Sequence, residues 1–234
     1  MKKANWIGFL PFYLLAVILF ISAAAGTSQA VTTAVQRTAV HRNHVFIIDA
    51  GHGGVDGGAT SCTGVLESQI NLEISLKLND LMHLLGYKTV MIRTEDVSIY
   101  TKGETIAAKK VSDLKERVRI VNETENAVLI SIHQNTFSDS RYDGAQVFYA
   151  DTSGSATLAQ GLQSELTKSL DPTSNRKAKK ATGVYLMEHI QKTGILVECG
   201  FLSNPEEEAK LRDPDYQRCL CSVIATSVSR LINT

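Results

Sequence analysis

Ala127-Val128-Leu129-Ile130-Ser131-Ile132-His133 is the stretch on which the architecture turns. It is apolar almost throughout instead of alternating, the pattern of a strand covered on both faces, as in parallel sheets flanked by helices. Two further segments read the same way: His44-Val45-Phe46-Ile47-Ile48-Asp49, and Thr193-Gly194-Ile195-Leu196-Val197-Glu198-Cys199. Each of the three runs into polar or glycine-rich residues, so each marks a buried strand that ends in a loop.

Helical patterns fill the spaces between them. Residues Glu67 to Leu85 first look strand-like, because Ile70, Leu72, Ile74, Leu76 and Leu78 alternate. Length and composition favour a helix: the segment is rich in Leu, Glu, Lys and Asn, sets Ile70, Ile74, Leu78, Leu81 and Leu85 on one face, and stops at Gly86. Tyr87 to Arg93 reads as a second strand, followed by a polar stretch to about Ser112 and a helix from Asp113 to Glu125. Gly144 to Ala150 is a further strand, Ser155 to Leu170 a helix, and helices over Pro205 to Leu211 and Pro214 to Leu231 close the chain. Strands alternating with helices predict an α/β domain whose largely parallel or mixed central sheet is covered by helices.

The 234-residue length suits one such domain over residues 44–234 and an N-terminal appendage. With 44% apolar and 21% charged residues, neither a disordered nor a fibrous chain is expected. Lys plus Arg, at 24, equals Asp plus Glu, at 24, so no overall field draws the chain to nucleic acid, and no nucleic-acid partner is expected. Residues 1–30 read as a targeting segment: Lys2 and Lys3 precede an uncharged run from Trp6 to Ala25, with Ala-x-Ala-like cleavage sites at its end. The run is also long enough to span a bilayer, so a cleaved signal peptide and a retained membrane anchor both stay open. Either way the domain is expected outside the cytoplasm, joined by a linker over residues 31–43.

Reactive groups in open α/β sheets sit past the carboxyl ends of strands. Three strand ends carry them here: Asp49-Ala50-Gly51-His52-Gly53-Gly54, Ser131-Ile132-His133-Gln134-Asn135, and Val197-Glu198-Cys199-Gly200. Two histidines and a carboxylate form a donor set suited to zinc, and Glu67, at the start of the first helix, can complete it with His52 and His133. Glu198 ends an apolar strand, where poor solvation raises a carboxylate's pKa toward working pH. It would take a proton from an attacking water and pass it to a leaving amine, which predicts hydrolysis of an amide bond. Each residue has a plainer reading: a lone histidine is commonly a surface or core residue, and Glu in a first helical turn is favoured by the helix dipole. His41, His44, His83 and His189 are read in that plain way. The glycine-rich loop lacks the Gly-Lys-Ser or Gly-Lys-Thr ending of a phosphate-binding P-loop.

Four cysteines in an exported chain raise disulfides, but Cys219 and Cys221 lie two apart in a helix and Cys199 lies in a buried strand, so no disulfide framework is expected. Nor do they give the paired Cys-x-x-Cys spacing of a zinc knuckle.

Together, Ile47 to Ala59, Ser131-Ile132-His133-Gln134-Asn135 and Leu196 to Asn204 resemble, in order, three motifs of the type 3 zinc-dependent N-acetylmuramoyl-L-alanine amidases. The resemblance implies a sheet of about six strands, zinc held by His52, Glu67 and His133, and Glu198 as catalytic glutamate. Asn135 would orient a ligand or substrate. The implied substrate is peptidoglycan, cut between the lactyl group of N-acetylmuramic acid and L-alanine.

Within the family the chain looks most like the spore-cortex amidases, whose cut precedes muramic δ-lactam formation and prepares for germination. That implies a place at the forespore envelope and, in some relatives, an activator protein; the N-terminal segment, if uncleaved, would contact the membrane. Only about eight residues separate Asn135 from Gly144, too few for the autoinhibitory helix of some division amidases. The basic group Arg176, Lys177, Lys179 and Lys180 is expected to be a solvated loop, with a contact to stem-peptide carboxylates as the alternative; an approach of Cys62 or Cys199 to the metal is a further alternative. A non-catalytic wall-binding module, and another zinc peptidoglycan hydrolase such as a deacetylase or peptidase, are the competing functions.

Overall fold

The computed structural model describes residues 43–232, and the expected export segment at 1–30 and the linker through residue 42 lie outside the described residues. Strands β1 (Val45–Ala50), β2 (Lys88–Met91), β3 (Ala127–Asn135), β4 (Gln146–Tyr149), β5 (Lys179–Lys180) and β6 (Thr193–Phe201) form one six-stranded sheet in the order β2-β1-β3-β6-β4-β5. β2, β1, β3 and β6 run parallel, while β4 lies antiparallel to β6 and carries β5 parallel to itself. The sheet is therefore mixed, as expected.

Side-chain alternation divides the core between two faces. Phe46, Ile48, Val128, Ile130, Ile132, Val147, Ile195 and Val197 face one side. There they meet α1 (Glu67–Leu84), α3 (Ser155–Leu170) and α6 (Pro214–Leu231), which contribute Ile70, Ile74, Leu78, Leu162, Leu166, Ile224 and Val228. The opposite parity, Ile47, Leu129, Leu196 and Phe148, packs on α2 (Ile106–Glu123) and the one-turn α4 (Tyr185–His189) through Val121, Leu186, Met187 and Ile190. A short α5 (Pro205–Arg212) follows β6, capped by the Asn204 side chain at the amides of Glu206 and Glu207. Among the described residues no helix is long and apolar enough to cross a membrane.

The alternating stretch from Ile70 to Leu78 is helical. Gly86 ends α1 at φ +84°, its amide bonding His83 O and that of Tyr87 bonding Met82 O, a left-handed stop that suits glycine. Of the expected apolar face, Ile70, Ile74 and Leu78 are fully buried and Leu81 partly, but Leu85 is 44% exposed. Met82 takes the last core position, because a 3.6-residue period drifts off the i+4 row by the fourth turn.

Three expectations need correction. α2 begins at Ile106, about two turns before Asp113, with Thr105 accepting from the Ala108 amide. The first turns bury almost nothing, so no apolar period marks them. β4 is shorter than Gly144 to Ala150, β5 lies in the basic stretch read as a loop, and α4 in a stretch to which no element was assigned; a two-residue edge strand and a single turn carry no periodic signal.

Candidate active site

The carboxyl ends of β1, β3 and β6 converge at one edge of the sheet. β1 leaves the carbonyls of Ala50, Gly51 and His52 without strand partners, and two buried arginines gather them. Arg93 donates from Nε to Ala50 O (2.8 Å) and from Nη2 to Gly51 O (3.0 Å) and Ser68 O (2.8 Å). Arg117, on α2, donates from Nη1 to Ala50 O (3.1 Å) and from Nη2 to His52 O (2.8 Å). Its charge is matched by Asp49 and Asp113. Burial alone would raise the Asp49 carboxyl, but Arg117 and a 2.6 Å bond from Ser131 Oγ hold it below the usual range. This frame fixes His52 at φ +60°, a left-handed conformation rare for a non-glycine residue and common at functional turns.

Glu67 stands at the first position of α1 and reaches both histidines. Oε1 accepts from His133 Nδ1 (3.0 Å), the Gln134 amide (3.1 Å) and Asn71 Nδ2 (3.2 Å). Oε2 accepts from the Ala59 amide (3.0 Å) and lies 3.3 Å from His52 Nε2. Burial opposes ionisation, yet His133 and His52 hold Glu67 well below the carboxylate range. The other nitrogen of His52, Nδ1, meets Asp56 at 3.0 Å, and Asp56 pairs with Lys110. Burial would lower His52, but Glu67 and Asp56 together raise it.

Two glycines make the space. A Cβ at Gly51 would lie 2.2 Å from His133 Nε2, and one at Gly58, whose φ is +70°, would lie 2.6 Å from Glu67 Oε2. The donor atoms of His52, Glu67 and His133 all lie within 4.8 Å of one another, so these three can hold a metal ion. Glu67 meets the two imidazoles through different oxygens, Oε1 at 3.0 Å from His133 Nδ1 and Oε2 at 3.3 Å from His52 Nε2, so nitrogen and oxygen donors of the kind zinc takes stand side by side.

Glu198 is the register partner of His133 across β3 and β6. Its Oε2 is buried with no hydrogen-bond partner, and burial, reinforced by Glu67 and opposed by His133 and His52, pushes its carboxyl up to about 7. A buried oxygen that nothing in the fold satisfies, next to a ready donor set, is a group kept for chemistry.

A family model described as N-acetylmuramoyl-L-alanine amidase matches residues 46–230. The chain belongs to the N-acetylmuramoyl-L-alanine amidase family. It is 32% identical over 231 residues to the germination-specific N-acetylmuramoyl-L-alanine amidase of Bacillus subtilis, covering 98% of this chain and 95% of that one. Among solved structures it resembles the CwlD amidase of Clostridioides difficile, determined in complex with the GerS lipoprotein (TM-score 0.78, 36% identity, 81% of this chain and 98% of that one). It also resembles an N-acetylmuramoyl-L-alanine amidase of Clostridium difficile 630 (TM-score 0.73, 29% identity, 82% and 98%). The amidase thus hydrolyses the bond between N-acetylmuramic acid and L-alanine, as its motifs led us to expect.

In this amidase the sequence-predicted His52, Glu67, His133 and Glu198 come together. Asn135 ends β3 two residues past His133, beyond a register shift: its Oδ1 accepts from the Thr136 amide (2.8 Å), and its carbonyl accepts from the Leu202 amide. Neither thiol joins the donor set; Cys199 turns to the opposite face, bonding Val197 O at 3.7 Å, and all four cysteines are free. Asp56, Asn71, Arg93 and Arg117 were not singled out, although they orient or support the amidase's donors. Asp56 lay within the quoted motif, but a carboxylate four residues after a histidine carries no distinctive signal. The arginines reach their partners across some forty to seventy positions, which no local pattern reveals.

Proposed function

We propose that the amidase works with zinc held by His52, Glu67 and His133, and with Glu198 as the proton carrier. The observation that carries this reading is the unpartnered Oε2 of Glu198 in register with His133. Zinc, when bound, supplies Lewis acidity: it lowers the pKa of water and polarises the amide carbonyl. Asp56 holds His52 through Nδ1 and so fixes its tautomer, leaving Nε2 as donor. Glu67 arrives already ionised. Glu198, with a value near neutrality, takes the proton of the attacking water at Oε2 and returns it to the departing nitrogen of L-alanine. Asn135, whose oxygen is engaged by Thr136, leaves its amide NH2 as a donor to substrate.

The substrate in this reading is peptidoglycan outside the cytoplasmic membrane, with residues 1–30 directing export or anchoring and residues 31–43 linking them to the catalytic domain. Likeness to the germination-specific amidase along nearly the whole chain supports a part in spore cortex maturation at the forespore envelope. Likeness to an amidase solved with a lipoprotein supports an activator protein as a partner.

Zinc analysis of the purified protein together with mass spectrometry of digested peptidoglycan tests the reading. Stoichiometric zinc with free lactyl ends and free L-alanine amino termini is the expected result. New sugar amines would instead identify a deacetylase, cuts within the peptide a peptidase, and bound but intact wall a binding module. Adding spore-envelope extract to a sluggish preparation reveals whether an activator is needed.

A further inference from the structure

Arg176 was expected in a solvated loop, but it is half-buried and held on three sides. Its Nε donates to Asp143 O (2.6 Å), its Nη1 to Gln146 Oε1 (3.0 Å), and its guanidinium carbon lies 4.7 Å from the Phe201 ring centroid. All three partners are uncharged, and among the described residues Arg176 makes no ion pair, although carboxylates are the usual partners of such a planar fork. The fold has thus spent several contacts on fixing a cation without a direct ion pair, with Asp171 Oδ2 as the carboxylate oxygen bordering the same space.

Its position ties it to the reaction. Gln146 opens β4 directly opposite Glu198 on β6, and opposed residues on paired strands point to the same face. The Gln146 side chain is buried, donating from Nε2 to Lys177 O (2.6 Å) while Oε1 accepts from Arg176. One side chain therefore separates the fixed guanidinium from the proton carrier. The arginine opens into a cavity of about 450 Å3 that Lys177 and Lys179 also line. Asp143 and Asp171 share it, but Arg176, Lys177 and Lys179 leave the balance positive, and Asp171 Oδ1 is taken up by Thr173.

We infer that Arg176, supported by Lys177 and Lys179, is a carboxylate clamp for the peptide portion of the substrate, and that it makes the amidase selective for peptides whose carboxylate lies free beside the scissile bond. The inference rests on the amidase reading, because that reading brings a peptide beginning with L-alanine, and the free carboxylates of that peptide, beside Glu198. Arg176 is a specificity residue here, acting on substrate placement and not on the proton.

The test compares glycan strands bearing uncross-linked peptides whose second residue has either a free or an amidated α-carboxylate, with kcat/KM measured at low and high salt. The intact enzyme should favour the free carboxylate by about tenfold to a hundredfold, the range for a hydrogen bond to a charged group, and high salt should shrink the ratio. Arg176→Gln should bring the ratio near one while Arg176→Lys keeps part of it; Lys179→Gln should lower it by a smaller factor. The ratio, unlike the absolute rate, is insensitive to a general disturbance of Gln146. Equal turnover of both substrates by the intact enzyme, or an unchanged ratio in Arg176→Gln, overturns the clamp and leaves the amidase reading standing. Turnover of neither, with spore-envelope extract added, overturns both.

Discussion

His133 and Glu198 occupy paired register positions on neighbouring parallel strands, so an imidazole of the donor set and a carboxylate with one unsatisfied oxygen share the same face at the sheet's edge. That adjacency separates two roles that a lone cluster of acids and histidines would blur. Replacing Glu198 with Gln keeps its shape and removes its basicity. We expect Glu198→Gln to bind zinc in full and to lose about 10²–10⁴-fold in kcat, the usual worth of a positioned acid–base group. Elemental analysis beside a peptidoglycan assay checks this; near-normal turnover would overturn the assignment.

The same carboxyl gives a stability signature in protein stripped of metal. Its folded value is raised from 4.5 to about 7, so the neutral form is favoured by folding. Its contribution is complete below about 4.5 and is lost as pH rises through about 7, a cost of at most about 3 kcal/mol. The stripped protein should therefore lose thermal stability between about pH 4.5 and 7 and level off above that, and Glu198→Gln should flatten that slope.

Asp49 carries the opposite sign. Arg117 and Ser131 lower its folded value, so its contribution is present above the unfolded value near 3.8 and is lost as pH falls toward the depressed one. Asp49→Asn should lose less stability than the parent between pH 5 and 3. Arg117→Met, which strands a buried carboxylate, should cost about 3–5 kcal/mol in chemical denaturation.

Gly51→Ala should fold yet fail to assemble the donors, since the added methyl falls 2.2 Å from the His133 ring and the ring must leave. Loss of zinc binding with circular dichroism unchanged is the expected outcome; zinc affinity equal to the parent's would show that the ring has another place to go.

Asp56→Asn keeps a hydrogen-bond acceptor at His52 Nδ1 but removes its charge. A drop of about 10–100-fold in zinc affinity, measured by competition with a chelator, is the expected size for a partner that orients a ligand.

What the sequence disclosed follows from the reach of each signal. The buried strands announced themselves because both faces of β1, β3 and β6 are covered, so apolar residues run without a break through Phe46-Ile47-Ile48 and Val128-Leu129-Ile130. His52, His133 and Glu198 were legible because they follow such runs. Glu67 was visible as a candidate, but its five close contacts, from Ala59, Asn71, Gln134 and the two histidines, were not. Arg176 illustrates the limit best: one residue in a basic stretch looks like solvated charge until Asp143, Gln146 and Phe201, each about thirty positions away, close around it.

The hydrogen bonds that seat Glu67 come from the protein's own amides and side chains, which fixes an order of events in the life of the molecule. On the zinc reading, the contacts that seat Glu67 need no ion, so the metal would enter a site already shaped and ask for little movement of the backbone. On that same reading folding and metal supply are separable, and scarcity of the ion alone would leave finished but idle protein.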